Sequence, residues 1–182
     1  MVDVIIVGDG PGGLSAALLL AKNDAEVVLF GQDRTAMHAA MLHNYLGVES
    51  IPGSEFQKMA RSQVQKNGAL IRDEQVKSIE RSEGQFAVTV KGGDVLHARY
   101  VVLSEGKTTN LAKRLGVDFQ ENGAIATDIH GLTSQARVYA VGRSRRPGRS
   151  QAIISAGDGA AVAIDILSRE RGEDFCDWDV PE

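Results

Sequence analysis

One motif near the N-terminus constrains this chain more than any other feature. Asp3 to Val7 is a short apolar run that reads as a β-strand. Gly8-Asp9-Gly10-Pro11-Gly12-Gly13 follows at once, then a helical pattern from Leu14 to Lys22, then a second apolar run from Glu26 to Phe30. Glycine at the first, third and sixth positions of a strand-to-helix turn is the arrangement that binds dinucleotides. Gly8 permits the tight turn, Gly10 lets the backbone approach a pyrophosphate, and Gly13 lets the helix pack close to the strand. The helix N-terminus offers N–H groups and a positive dipole end to phosphate. The alternative is a glycine-rich turn that no longer holds a ligand.

A length of 182 residues suits one domain with a sizeable core but not two nucleotide-binding domains. Hydrophobic residues at 43% and charged residues at 24% are the proportions of a globular protein. A net charge of −4 argues against nucleic-acid binding, which needs a basic face. No apolar run approaches the roughly 20 residues of a membrane span. The first strand starts beside Met1, so no signal peptide is expected, and a single cysteine, Cys176, allows no internal disulfide. The expected compartment is the cytoplasm.

Leu14, Ala17, Leu18 and Ala21 form the apolar stripe of the first helix. Ser54-Glu55-Phe56-Gln57 reads as a capping box opening a helix to Lys66, with Phe56, Met59, Ala60, Gln63 and Val64 on its inner face. Ala69 to Arg72 reads as a strand. Three further short strands, 75–80, 85–91 and 95–99, are separated by Glu83-Gly84 and Gly92-Gly93-Asp94, which predicts an antiparallel meander. Separate strands are expected at 100–104, 124–127 and 138–142. A long helix is expected from Gln151 to about Arg169, with Ile154, Ala161, Ile164 and Leu167 inward.

Together these motifs resemble the FAD-binding domain of the thioredoxin reductase family over nearly the whole chain. The glycine motif with Pro11, Asn44-Tyr45-Leu46-Gly47, Glu121-Asn122-Gly123-Ala124-Ile125, Val138 to Gly142 and Gln151 to Ala161 carry the resemblance. It implies a three-layer α/β Rossmann-like domain, with a parallel sheet, helices on one face and a three-stranded antiparallel meander on the other. The implied division is 1–106, 107–172 and an acidic tail, 173–182. The implied cofactor is FAD. Gly8, Gly10, Pro11, Gly12 and Gly13 would hold the pyrophosphate, and Val76 would flank the adenine through its backbone. Asn44, Gln151 and Ala152 would meet the flavin ring, with the last helix directing its N-terminus at it. Homodimerisation is also implied.

The chain departs from that family in ways that bear on chemistry. The inserted NADPH domain and the Cys-x-x-Cys pair are absent, so the family's dithiol route to thioredoxin is closed. The family's Gly-Asp is Gly142-Arg143, and its Ala-Thr-Gly is Ser104-Glu105-Gly106. Gly31 stands where an acid would end the second strand, leaving Asp33 or the backbone of Gly31 and Gln32 to serve the adenosine ribose. Each change removes one hydrogen bond, worth about 0.5–1.5 kcal/mol. A guanidinium fork fits phosphate, so Arg143 is a candidate replacement contact.

Arg143, Arg145, Arg146 and Arg149 read either as an anion site or as a solvated loop. His38, His43, His97 and His130 lack metal-ligand spacing, so no metal is expected. Cys176 lies among acidic residues, which disfavours a reactive thiolate. Asp158 reads as a packing or dimer contact. No catalytic side chain is evident. The reading is a flavoprotein oxidoreductase served by an external donor (a reductase, ferredoxin or NAD(P)H) and an acceptor. The alternative is a non-catalytic module that binds FAD or another adenine nucleotide.

Overall fold

The run Val2–Val7 forms β1, whose Val4, Ile5 and Ile6 are wholly buried because both faces of the strand are covered. The computed structural model describes residues 1–180. After β1 come α1 (Pro11–Lys22), β2 (Val27–Phe30), a 3-10 turn at Ala36–Ala39, β3 (Met41–Leu42), β4 (Ile51–Pro52) and α2 (Gly53–Lys66). Then follow β5 (Leu70–Arg72), β6 (Val76–Ser82), β7 (Gln85–Val90), β8 (Val95–Leu103) and α3 (Asn110–Arg114). The chain ends with β9 (Val138–Ala140), a 3-10 turn at Gly142–Ser144 and α4 (Ala152–Arg171).

The sheet order is β5-β2-β1-β8-β7-β6, with β9 also beside β8. β5, β2, β1, β8 and β9 are parallel, whereas β8, β7 and β6 form the antiparallel meander. One strand serves both parts. Val95–Ala98 of β8 pairs with β7, Val101–Leu103 pairs with β9, and β1 runs along the other edge.

Strand alternation divides the core in two. Val4, Ile6 and Val102 face α1 and α4, packing with Leu20, Val162 and Ile166. Ile5, Val101 and Leu103 face the meander, packing with Ile79, Phe86 and Val88. Helices, parallel sheet and meander are therefore the three layers expected from the sequence.

Several local expectations are corrected. The strands placed at 95–99 and 100–104 are one strand, β8, because pairing with β1 continues through the junction. No strand forms at 124–127, where isolated bridges Phe119↔Ile125 and Thr127↔Thr133 replace it. The capping box does not form. The helix starts at Gly53, Pro52 is its N-cap, and no side chain caps it. Tertiary contact overrides the local signal: Gly53 N–H donates to the Ala40 carbonyl at 2.8 Å, and a Cβ on Gly53 would overlap the Met37 carbonyl. Met59 and Gln63 are exposed, and Gln57 takes the inner position instead. Ile154 is exposed as well. α1 starts at Pro11, so Gly12 and Gly13 lie in its first turn.

The acidic tail is tied to the domain. Lys22 Nζ donates to Asp177 at 3.0 Å and Asp179 at 2.6 Å, and the Arg171 guanidinium stacks 3.9 Å from the Phe175 ring centroid. Cys176 is exposed there.

Candidate functional site

A cleft of about 730 Å³ opens at the C-terminal ends of the parallel strands, where open α/β sheets bind ligands. Gly8–Gly12 form one wall, Phe30–Gln32 and Val76 a second, Ser104–Gly106 a third, and Gly142, Arg143, Ala152 and Ser155 a fourth.

Internal packing fixes some motif glycines and leaves one open. Gly8 has φ +104°, and a Cβ there would overlap the Ser104 carbonyl. A Cβ on Gly13 would overlap the Gly8 carbonyl. A Cβ on Gly10 would meet nothing nearer than Ser104 Oγ at 4.0 Å. Packing within the fold does not need glycine at 10, and its open face borders the cleft. The N-caps of α1 and α4, Gly10 and Gln151, carry no side-chain cap bond. Both helices therefore direct uncapped N–H groups and a positive dipole end to the cleft. This wall fits a dinucleotide such as FAD, with a central diphosphate.

Cationic side chains dominate the lining. Arg34, Lys77, Lys107, Arg114 and Arg143 border the cleft, and none has a carboxylate within 4.0 Å among the described residues. Arg143 Nε donates to Ser150 Oγ at 3.2 Å. Of the lining acids, Asp9 pairs with Arg61 and Glu74 with Arg72. Glu105 accepts the N–H groups of Leu111 and Ala112 at 2.9 and 3.0 Å. Burial nonetheless pushes its carboxyl above the usual range.

Gly8, Gly10, Pro11, Gly12, Gly31, Gln32, Val76, Gly142, Arg143 and Ala152 all line the cleft. Gly13 lies behind the loop as a packing residue. Asn44 and Gln151 stand outside the lining and are joined, Nδ2 donating to Oε1 at 3.1 Å. Asp33 does not line it either; its carboxylate lies 2.9 Å from His38 Nε2. His43 contacts Ser50.

The arginine cluster divides. Arg145 and Arg146 converge on the buried Asp158 at 3.2 and 3.0 Å, and Arg145 also donates to the carbonyls of Asp128 and Ile129. Burial lowers the Arg145 pKa. These two arginines brace the fold, and Asp158 is a packing residue. Arg149 borders a separate hollow of about 370 Å³. Gln57 and Arg61, one turn apart on α2 and both reaching Asp9, were missed; polar residues at i and i+4 on an inner helix face were the available signal. Among the described residues no His, Cys, Asp and Glu group could hold a metal, and no helix is long and apolar enough to cross a membrane.

The family model for pyridine nucleotide-disulphide oxidoreductase matches residues 47–159. The chain belongs to this family. Its members bind FAD. The match begins downstream of the glycine loop, so it stands independently of that motif.

This pyridine nucleotide-disulphide oxidoreductase family member is 26% identical over 166 residues to the ferredoxin–NADP reductase of Lactococcus lactis subsp. lactis (strain IL1403), covering 87% of this chain and 49% of that protein. It is 32% identical over 123 residues to the thioredoxin reductase of Mycolicibacterium smegmatis, covering 65% and 38%. It thus spans about half the length of these curated relatives, or less. The crystal structure of HlmI superposes with a TM-score of 0.87 at 20% identity, covering 95% of this chain and 93% of that one. A thioredoxin reductase from Gloeobacter violaceus superposes with a TM-score of 0.86 at 18% identity, covering 98% and 99%. These likenesses establish the fold. Between Leu103 and Val138 lie only α3 and isolated bridges, with no second strand–helix–strand unit.

Proposed function

We propose that this chain binds FAD in the cleft and acts as an oxidoreductase supplied by an external electron donor. The observation that carries the reading is the convergence of two uncapped helix N-termini and the open face of Gly10 on one cleft. Bound there, FAD supplies one- and two-electron redox chemistry. The first turn of α1 receives the diphosphate, and Arg143 adds a guanidinium that has no competing carboxylate among the described residues. The N-terminus of α4 favours negative charge at the ring end of the site. The Asn44–Gln151 pair holds the 3-10/β3 segment against that helix end. Val76 borders the adenine end.

The chain has one cysteine, exposed in the tail, so no dithiol of its own relays electrons. In this reading donor and acceptor both reach the cleft from outside this domain. NAD(P)H, a separate reductase or a ferredoxin fits the donor role, and a homodimer is the expected assembly. The cytoplasm is the expected site of action.

The test is a visible absorption spectrum after FAD loading and gel filtration, followed by anaerobic addition of NAD(P)H or a partner reductase. Retained flavin bands that bleach rapidly support the oxidoreductase. Retained bands that bleach only slowly with every donor favour the rival, a nucleotide-binding regulatory module. That rival draws on Arg143 standing where the resembled family has an acid. A protein that retains no flavin overturns both FAD readings.

A further inference from the structure

Gly31 has no positive φ, so its backbone does not demand glycine. What excludes a side chain there is Asp9. A Cβ on Gly31 would overlap Asp9 Cβ and Cγ and lie 2.7 Å from Oδ1. The Asp9 carboxyl group occupies the space that a side chain at the end of β2 would fill. That strand end is where nucleotide-binding α/β folds place the acid that accepts a ribose hydroxyl.

Asp9 is held firmly in this position. It is 4% exposed. Oδ2 accepts from Arg61 and from the Asp33 N–H at 2.9 Å. Gln57 Nε2 donates to the Asp9 carbonyl at 2.5 Å, so α2 grips both ends of the residue. Oδ1 has no hydrogen-bond partner among the described residues, and Asp9 lines the cleft. A carboxylate has about four acceptor sites, and here the unused ones lie on the oxygen at the β2 end.

We infer that Asp9 supplies, from the glycine loop, the carboxylate that reads the adenosine ribose hydroxyls, and that Gly31 is small in order to admit it. The inference rests on the FAD reading, because it needs an adenosine in the cleft. It also sets a specificity. A carboxylate at the ribose repels a 2′-phosphate, even with Arg34 in the lining, so unphosphorylated ribose is the form accepted.

The test is calorimetric titration of ADP, 2′-deoxy-ADP, 3′-deoxy-ADP and 2′-phospho-ADP into wild type, Asp9→Asn, and the swap Asp9→Gly with Gly31→Asp. Wild type should prefer ADP over at least one deoxy analogue by about tenfold, the scale of a hydrogen bond to a charged group. It should bind 2′-phospho-ADP more weakly than ADP. Asp9→Asn should lose most of the deoxy discrimination while keeping its affinity for the deoxy compound. Should Asp9→Asn fail to fold, as judged by circular dichroism, the swap decides, and it should restore discrimination from the β2 end. Equal discrimination in wild type and Asp9→Asn, or a swap that folds and does not discriminate, overturns the inference and leaves FAD binding standing. Tighter binding of 2′-phospho-ADP than of ADP also overturns it. Wild type that binds neither FAD nor ADP overturns it together with the reading beneath it.

Discussion

Gly159 of α4 faces the backbone of Gly12 in α1 so closely that a Cβ on Gly159 would overlap the Gly12 carbonyl and lie 2.9 Å from Ala16 N. The two helices that open on the cleft are thus in backbone contact near their N-terminal ends. Gly159→Ala should force them apart and cost about 1–3 kcal/mol, the scale of core overpacking. Gly157→Ala is the control. It has open space around it and should gain up to about 1 kcal/mol of helix propensity. Thermal melts of the two variants should move in opposite directions.

Asp158 neutralises two arginines from a buried position. Asp158→Ala leaves the Arg145 guanidinium, 10% exposed, without its carboxylate. The expected loss is about 3 kcal/mol in urea denaturation. Pairing the change with Arg145→Met should recover part of it, because the stranded charge is then gone.

Arg143 is the cleft cation nearest in sequence to the Gly142 turn, and among the described residues its one side-chain partner is Ser150. Arg143→Ala should weaken FAD binding about tenfold and flatten its salt dependence, as loss of one charge-assisted phosphate contact requires. Riboflavin, which lacks phosphate, should bind both proteins alike in fluorescence titrations. Equal loss for both ligands would place Arg143 away from the phosphates.

Tyr100 donates to Glu170 at 2.8 Å, and burial reinforced by Glu170 pushes its pKa up to about 12. Tyr139, buried and bonded to Asp165 at 2.5 Å, shifts the same way. An unfolded tyrosine ionises near pH 10. Below that value both states keep the proton and stability does not depend on it. Above it the unfolded chain releases the proton first, so stability falls as pH rises toward the folded value. Tyr100→Phe should show a shallower decline over roughly pH 10 to 12 in denaturant midpoints.

The parts legible in the sequence were those with local signatures. The glycine loop announces itself by spacing, and the Phe86-Val88-Val90 alternation marks a strand whatever it pairs with. Gly31 looked like a missing acid because its explanation, Asp9, lies 22 residues upstream and is fixed by Arg61 from 52 residues away. No one-dimensional pattern records such a fit. The capping box at Ser54 failed for a related reason, since a contact with Met37 and Ala40 set the helix start. The arginine cluster looked uniform along the chain, and only the buried position of Asp158 separated bracing arginines from the one in the cleft.

The order of strands bears on how this protein comes to be made. Val4 of β1 pairs with Val27 on one side and with Tyr100 on the other, and the Gly8 turn rests on the Ser104 carbonyl. On the ribosome the glycine loop emerges well before β8, so its inner wall does not exist until β8 has followed it. Until then β1 presents an unpaired apolar edge, the kind of surface that chaperones shield. Nucleotide capture should therefore come late in biogenesis, after the long-range closure of β1 on β8.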